Sequence, residues 1–295
     1  MSSVVPQIVA DAVSLGGLYA LTALGIGLIF GVMRLINFAH GDLIGAAGYA
    51  LLLAAGQPLA AALFCALAAA VAVALATERL AFRPLRRADP ATLLIASFAV
   101  SMFLEKLLIV LVGARPKGID LLPSLAAEVT VAGVRLQRLQ LVTIGASLAM
   151  LLAVSLFLRF TRLGLEMRAA AENFRMARLL GVRANRVIAA AFALSGALAA
   201  VVAVLFVAQT GVVAPRMGLT LVVIAFVATV VGGLGSLAGA AAGGALVGLA
   251  SVLLQAFLPA GMRPFREAFV FLAVIVVLLF RPQGLFAARG LRERA

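Results

Sequence analysis

Charge is missing from this chain in long blocks, and that limits the folds open to it. Leu43 to Thr77, Leu139 to Leu158, Val187 to Pro215 and Met217 to Met262 contain no Asp, Glu, Lys or Arg. About 20 mostly apolar residues span a bilayer as one helix. Hydrocarbon offers the backbone no hydrogen-bond partners, so a spanning segment must satisfy itself, as a helix does. Of 295 residues, 65% are hydrophobic and only 12% are charged, against about 25% charged in soluble domains. The apolar sequence suffices for about eight or nine spans and leaves almost nothing for a soluble domain. The expected fold is an all-α polytopic membrane protein. Residues 1–295 are read as a single transmembrane domain, with half-helices and an internal repeat.

Glycine, proline and charge divide the blocks. Spans are expected at 8–33, 40–56, 58–79, 91–113, 139–159, 187–208, 217–233, 236–258 and 264–281. The pieces 40–56 and 217–233 are short and read as half-helices or re-entrant segments. These are tolerated only beside protein or a water-filled cavity.

The net charge is +13. A strongly basic chain raises nucleic acid as a partner. Here the arginines sit in short loops between apolar runs, where they set membrane orientation instead. Segments 79–90, 159–186 and 281–295, with Arg34, hold most of the 24 lysines and arginines and are assigned to the cytoplasm. Nine spans then place the N-terminus outside, and one re-entrant segment would move it inside. No basic residue precedes Arg34, so 8–33 reads as a retained span and not a secretory signal. Loop 114–138, with Pro116, Gly118, Asp120, Pro123, Glu128 and Gly133, is too short for its own core. It is expected to be an external lid or a partner platform.

Enzymatic chemistry finds no purchase. There is no nucleophile elbow, HExxH or CxxC, and Cys65 and His40 are the only residues of their kinds. No cofactor, metal site or disulfide framework is therefore expected. Neither Lys106 nor Lys117 follows a glycine-rich loop, so the chain lacks a Walker-type phosphate cradle. Any ATP that drives it must bind another chain.

Polar residues concentrate at 31–42, where Asn37, Phe38, His40, Gly41 and Asp42 join two apolar runs. One reading is a gate or pathway element, because ionisable groups in membrane segments usually face a cavity or partner. The other is a turn in which Asn37 caps the next helix and Asp42 sits in its favourable first turn. His40 and Asp42, two apart, do not share a helix face. Glu105 and Lys106 either line a pathway or contact a neighbouring helix, with Lys106 snorkelling outward. Gly41, Gly45 and Gly48, and again Gly232, Gly233, Gly235 and the glycines to Gly248, permit close helix packing. Tight packing accounts for most of them; one glycine-rich segment per half also resembles the interrupted helices of repeat-built transporters.

Between two uncharged runs, residues 161–186 carry six arginines and two glutamates. Leu163, Met167, Ala170, Phe174 and Ala177 form one apolar stripe. Arg168, Glu172 and Arg175 lie opposite and pair at helical spacing. Gly181 is a natural helix stop, and Asn185 is expected to cap the next span. The segment reads either as a helix docking into a partner's groove or as an interfacial helix on acidic lipid.

Several segments resemble the branched-chain amino acid ABC-transporter permease family of the LivH type. They are Leu28–Asp42, Arg168–Asn173, Ala177–Val182, Gly232–Ser236 and Arg281–Phe286, and the resemblance runs in order from Gly17 to Phe286. It implies a permease subunit in the inner membrane of a bacterium. The implied partners are two cytoplasmic ATP-binding subunits, a second and usually distinct permease, and an external solute-binding protein. Residues 161–186 would be the coupling loop, with Ala170, Ala171, Glu172, Asn173, Arg175, Arg178, Leu180 and Gly181 meeting the ATPase. Asn37, Phe38, His40, Gly41, Asp42, Gly45, Gly232, Gly233 and Gly235 would line or gate the path. Ala-Ala precedes Glu172 where the general ABC-permease loop has it following. The implied substrate is a branched-chain or related small neutral amino acid. Urea and amide permeases share these motifs. An ion-coupled secondary transporter, with Asp42 or Glu105 as its titratable group, is the rival outside the family.

Overall fold

The computed structural model describes residues 4–86, 88–122, 127–131 and 134–286. Pro123, Gly133 and the basic residues beyond Phe286 lie outside the described residues. Helix dominates, as the uncharged blocks require. In order the helices are α1 (Val4–Met33), α2 (His40–Leu53), α3 (Leu59–Thr77), α4 (Pro90–Val112), α5 (Arg138–Phe160), α6 (Arg162–Glu172), α7 (Phe174–Leu179), α8 (Ala184–Thr210), α9 (Met217–Gly232), α10 (Leu237–Phe257) and α11 (Arg266–Phe280). A π-helical turn, Glu78–Phe82, extends α3, and a 3-10 turn, Ala260–Phe265, leads into α11.

Six helices among the described residues are long and apolar enough to cross a membrane: α1, α3 with its extension, α4, α5, α8 and α10. Burial sorts them. The apolar windows of α1 and α8 are 83% and 61% buried, whereas that of α4 is 11% buried. The first two therefore form the centre and α4 lies at the edge. Glycine makes the central packing possible. Gly244 and Gly248 of α10 lie against the backbones of Ala20 and Gly16 of α1, so side chains there would separate the two antiparallel helices.

α2 and α9 are short, with 14 and 16 residues, or about 21 and 24 Å of helix against about 30 Å of hydrocarbon. Each is completed by a non-helical lead. Arg34 ends α1 with φ 55°, an uncommon conformation for a residue with a β-carbon. It turns the chain back into the protein through residues 35–39. Before α9, residues 211–216 enter from the opposite end.

Basic segments gather at one end. Arg34 Nη2 donates to the Ala171 carbonyl at 3.4 Å, and Arg86 bonds both Glu78 and Asn185. The segment after α11 docks on the end of α9, where Leu285 N–H donates to Val231 O at 2.7 Å and Phe286 N–H to Gly232 O at 3.1 Å. This gives the 281–286 motif a physical role: it satisfies carbonyls that the end of α9 would otherwise leave bare. At the other end the sequence reading anticipated no strands. There β1 (Lys117–Gly118) pairs antiparallel with β4 (Val212–Val213). β2 (Glu128–Val131) and β3 (Val134–Gln137) form a hairpin with Val129 opposite Leu136.

Local expectations need correction in three places. Asn37 does not cap α2: the cap position is Ala39, without a side-chain bond. Asn185 does not cap α8 either, because its side-chain oxygen accepts from Arg86. The helix expected over 161–186 breaks at Asn173. That residue leaves helical geometry (φ −149°), and its side chain accepts from Met176 N–H at 3.0 Å to start α7. A side chain so placed competes with helix continuation.

Candidate functional site

Half-way along α4 stands Ser101, with helix on either side. Its hydroxyl donates to Asp42 Oδ2 at 2.5 Å. The start of α2 is thereby held near mid-depth of the bundle. Residues 37–42 are not a surface turn. Phe38 stacks on Phe98 of α4, ring centroids 4.2 Å apart, and tilts against Phe226 of α9 at 5.7 Å. Gly41 meets the backbone of Gly218, in the first turn of α9. Both half-length helices therefore begin beside one another, each aiming its positive N-terminal end at the interior.

His40 and Asp42 diverge, as their spacing requires. His40 is fully buried; its Nδ1 lies 3.0 Å from Ser195 Oγ of α8, and its ring fills the space beside Gly25 of α1. Among the described residues its Nε2 has no partner, and neither polar atom of the buried Asn37 side chain has one. Asp42 instead turns to α4 and α9.

One helical turn beyond Ser101 on α4, Glu105 accepts from Arg216 Nε at 3.0 Å and pairs with Lys106 at 3.4 Å. Phe38, Asp42, Ser101, Glu105, Arg216 and Leu219 border one cavity of about 10 Å³. A water needs roughly that much room, so the site is closed. Sequence reasoning named Asp42 and Glu105 but missed Ser101 and Arg216. Both are unremarkable in sequence, and only the α2–α4–α9 packing joins them.

Gly45 lies about one turn of α2 beyond Asp42, against Leu108 and Pro215. Gly232, Gly233 and Gly235 are at the far, arginine-rich end of α9. There Gly232 packs on Gly239, and Gly233 and Gly235 turn the chain with φ 108° and 92°. The structure does not bring these three to the Asp42 cavity.

Also missed was a polar cluster at the opposite end. Asp11 of α1 accepts from Gln140 at 2.5 Å and from Gln7 at 3.2 Å. With Ser14, Glu128 and Gln209 these residues border an open cavity of about 430 Å³. The signal was available: Asp11 is a lone carboxylate inside the first apolar run.

At the arginine-rich end the apolar stripe of α6 and α7 is turned inward. Met167, Ala170 and Ala177 are buried in the main core, and Leu163 and Phe174 pack against it. A stripe used to hold the helices on their own spans is not free to enter a partner's groove. The outward face carries Arg168, Glu172, Asn173, Arg175 and Arg178. It also carries exposed Leu165, Met176, Leu179 and Leu180, the last 80% exposed. The predicted pairs of Glu172 with Arg168 and Arg175 do not form among the described residues. Ala171 is half-buried and gives its carbonyl to Arg34. Gly181 ends α7 with φ 90°: its N–H bonds Arg178 O, and Val182 N–H reaches Ala177 O, the two bonds of a Schellman cap.

Residues 8–280 match the family model described as the branched-chain amino acid transport system permease component. The permease protein BraD of the high-affinity branched-chain amino acid transport system of Pseudomonas aeruginosa is 34% identical over 95% of this chain and 94% of its own. LivH of Escherichia coli K12, from the system of the same description, is 35% identical over 93% of each. Among solved structures, PsaBC from Streptococcus pneumoniae in complex with Fab aligns over 98% of this chain and 95% of its own, at 12% identity and a TM-score of 0.48. With a family model matched from residue 8 to residue 280, this chain belongs to the branched-chain amino acid transport permease family.

Proposed function

We propose that the chain is the permease subunit of an ATP-binding-cassette importer, carrying branched-chain or related small neutral amino acids across the bacterial cytoplasmic membrane. The observation that carries this reading is the family match along nearly the whole chain. The geometry supports it. A rigidly anchored α6–α7 hook shows mixed charge and exposed leucines at the arginine-rich end, the cytoplasmic one by its charge. Arginine is among the residue types enriched at interface hot spots. Two ATP-binding subunits would bind there, one to each of two permeases, with an external solute-binding protein on the opposite face. Glu172, Asn173, Arg175, Arg178 and Leu180 would form the contact. Ala170, Ala171 and Gly181 would hold it in place.

The same reading takes the chain across the membrane nine times, from an outside N-terminus to an inside C-terminus, as one domain over 1–295. α2 and α9, each with its extended lead, make two of the crossings. A long helix, an extended lead and a half-helix occur in α1–α2 and, in reverse direction, in α8–α9. That supports an inverted internal repeat with the path at its centre. Asn37, Phe38, His40, Gly41, Asp42 and Gly45 belong to that central element. Gly232, Gly233 and Gly235 act at its cytoplasmic hinge.

A second reading, coupling to an ion gradient, rests on one observation: Asp42 sits at mid-depth, where a titratable group would be needed. One experiment separates the two. The chain is purified in mild detergent from its native membrane, and uptake is measured in vesicles. The importer reading expects a Walker-motif ATPase to co-purify and uptake to require ATP. Uptake that survives ATP depletion and collapses with an uncoupler would replace it with the ion-coupled reading.

A further inference from the structure

The cavity between α2, α4 and α9 places opposite charges on its two sides. Asp42, held by Ser101, is on one side. Arg216, the residue capping the start of α9, is on the other and is held by Glu105. Ser101 and Glu105 share a face of α4 one turn apart, about 5.4 Å, so the charges enter the cavity at successive levels. Phe38 and Leu219 supply apolar wall beside them. A carboxylate, a guanidinium and an apolar wall match the three parts of an α-amino acid with an aliphatic side chain. We infer that this cavity is a transit site for the amino acid zwitterion, in which Asp42 receives the ammonium group and Arg216 the carboxylate. The inference rests on the importer reading above.

Three further features fit. First, Glu105 already occupies Arg216 with a carboxylate. An arriving carboxylate exchanges one charged partner for another, and Glu105 keeps Lys106 at 3.4 Å. No charge is left buried and unpaired, which would be costly. Second, a carboxylate on Arg216 would also lie at the N-terminus of α9, where the helix dipole favours an anion. Third, the Arg216 side chain is 68% exposed although its partner is well inside α4. Charges within membrane segments generally face a cavity or a partner and not lipid. At about 10 Å³ the cavity is the closed form of the site, and admitting an amino acid requires Leu219 and Phe38 to part.

The test uses the assembled complex with its binding protein in proteoliposomes, and reads radiolabelled leucine taken up per ATP hydrolysed. Asp42→Asn and Arg216→Gln should each lower that ratio roughly tenfold or more, the loss expected for one charged hydrogen bond. ATPase co-purification and the melting temperature of the complex should stay near wild type. Asp42→Glu should recover part of the ratio. An unchanged ratio in Asp42→Asn and Arg216→Gln overturns the site. So does a parallel loss of uptake, hydrolysis and assembly, because that outcome makes the residues structural. A wild-type complex with no ATP-dependent uptake overturns the importer reading itself, and the site with it.

Discussion

Gly41 and Gly218 touch backbone to backbone. A β-carbon added to Gly41 would lie 2.8 Å from the Gly218 carbonyl oxygen, and one added to Gly218 would overlap the Gly41 carbonyl. This contact sets the two half-length helices against each other at their first turns, and it brings Asp42 and Arg216 to one cavity. Every neighbour in the way is backbone or the branched Val222, so nothing can swing aside.

Gly41→Ala should therefore destabilise the protein by about 1–3 kcal/mol, as overpacking does, and should impair transport more than its size suggests. Gly45→Ala is the matched control. There the nearest atom is the mobile Leu108 Cδ1 at 3.3 Å, and the gain in helix propensity of up to about 1 kcal/mol offsets it. Thermal unfolding of the two variants in detergent checks the contrast; equal melting temperatures would refute the contact as a constraint.

His40 serves the same assembly from the other side. Ser195→Ala leaves a buried imidazole nitrogen without its partner and should cost about 1–3 kcal/mol. Gly25→Ala drives a methyl into the ring itself, since its β-carbon would lie 2.7 Å from Nε2. It should be the more damaging of the two. A histidine acting as a proton relay would instead show Ser195→Ala shifting the pH profile of uptake while stability held.

The sequence made some of this legible. Uncharged runs marked the spans, and glycine and proline marked α2 and α9 as short, because those signals are local. Partnerships across the bundle were hidden: Asp42 with Ser101 lies 59 residues apart, and Asp11 with Gln140 lies 129 apart. Nothing in the local pattern of either residue specifies the other. The break at Asn173 was hidden for a different reason. The apolar stripe runs through it undisturbed, while the side-chain cap that stops the helix competes at a single residue. The stripe was correct as a packing face, but periodicity alone could not say whether that face meets the protein's own spans or a partner.

That distinction predicts two classes of variant in the hook. Leu180→Asp and Arg175→Glu change only the outward face. Each should cost at least about 2 kcal/mol of ATPase binding if it falls at a hot spot, with the melting temperature unchanged. Met167→Asp buries an unpaired charge in the core and should abolish folding. Pull-down of the ATP-binding subunit alongside thermal unfolding separates the classes. Loss of stability in Leu180→Asp would show that its side chain supports the fold.

Glu78 and Arg86 form a nearly buried pair, with side chains 3% and 18% exposed, and Arg86 also reaches Asn185 at the start of α8. Removing one partner strands the other. Glu78→Ala should cost about 3 kcal/mol, near the lower end for buried pairs because Arg86 retains some water. Replacing both, as Glu78→Leu with Arg86→Met, should recover most of the loss. A double variant as unstable as the single would mean that the damage lies in the π-turn backbone and not in the stranded charge.

Ser101 touches Asp42 without carrying charge, so its removal should act through Asp42's placement. Ser101→Ala leaves the carboxylate in the cavity but free to turn, and the lost hydrogen bond to a charged group is worth about 1.5–3 kcal/mol. If Asp42 meets the substrate during translocation, the cost should fall on the maximal rate of ATP-driven uptake and leave the apparent KM unchanged. Capture from solution is the binding protein's task in this reading. Ser101→Thr keeps the hydroxyl and should restore the rate. A raised KM with an unaltered maximal rate would place Asp42 in initial capture and move the transit step away from the α2–α4–α9 cavity.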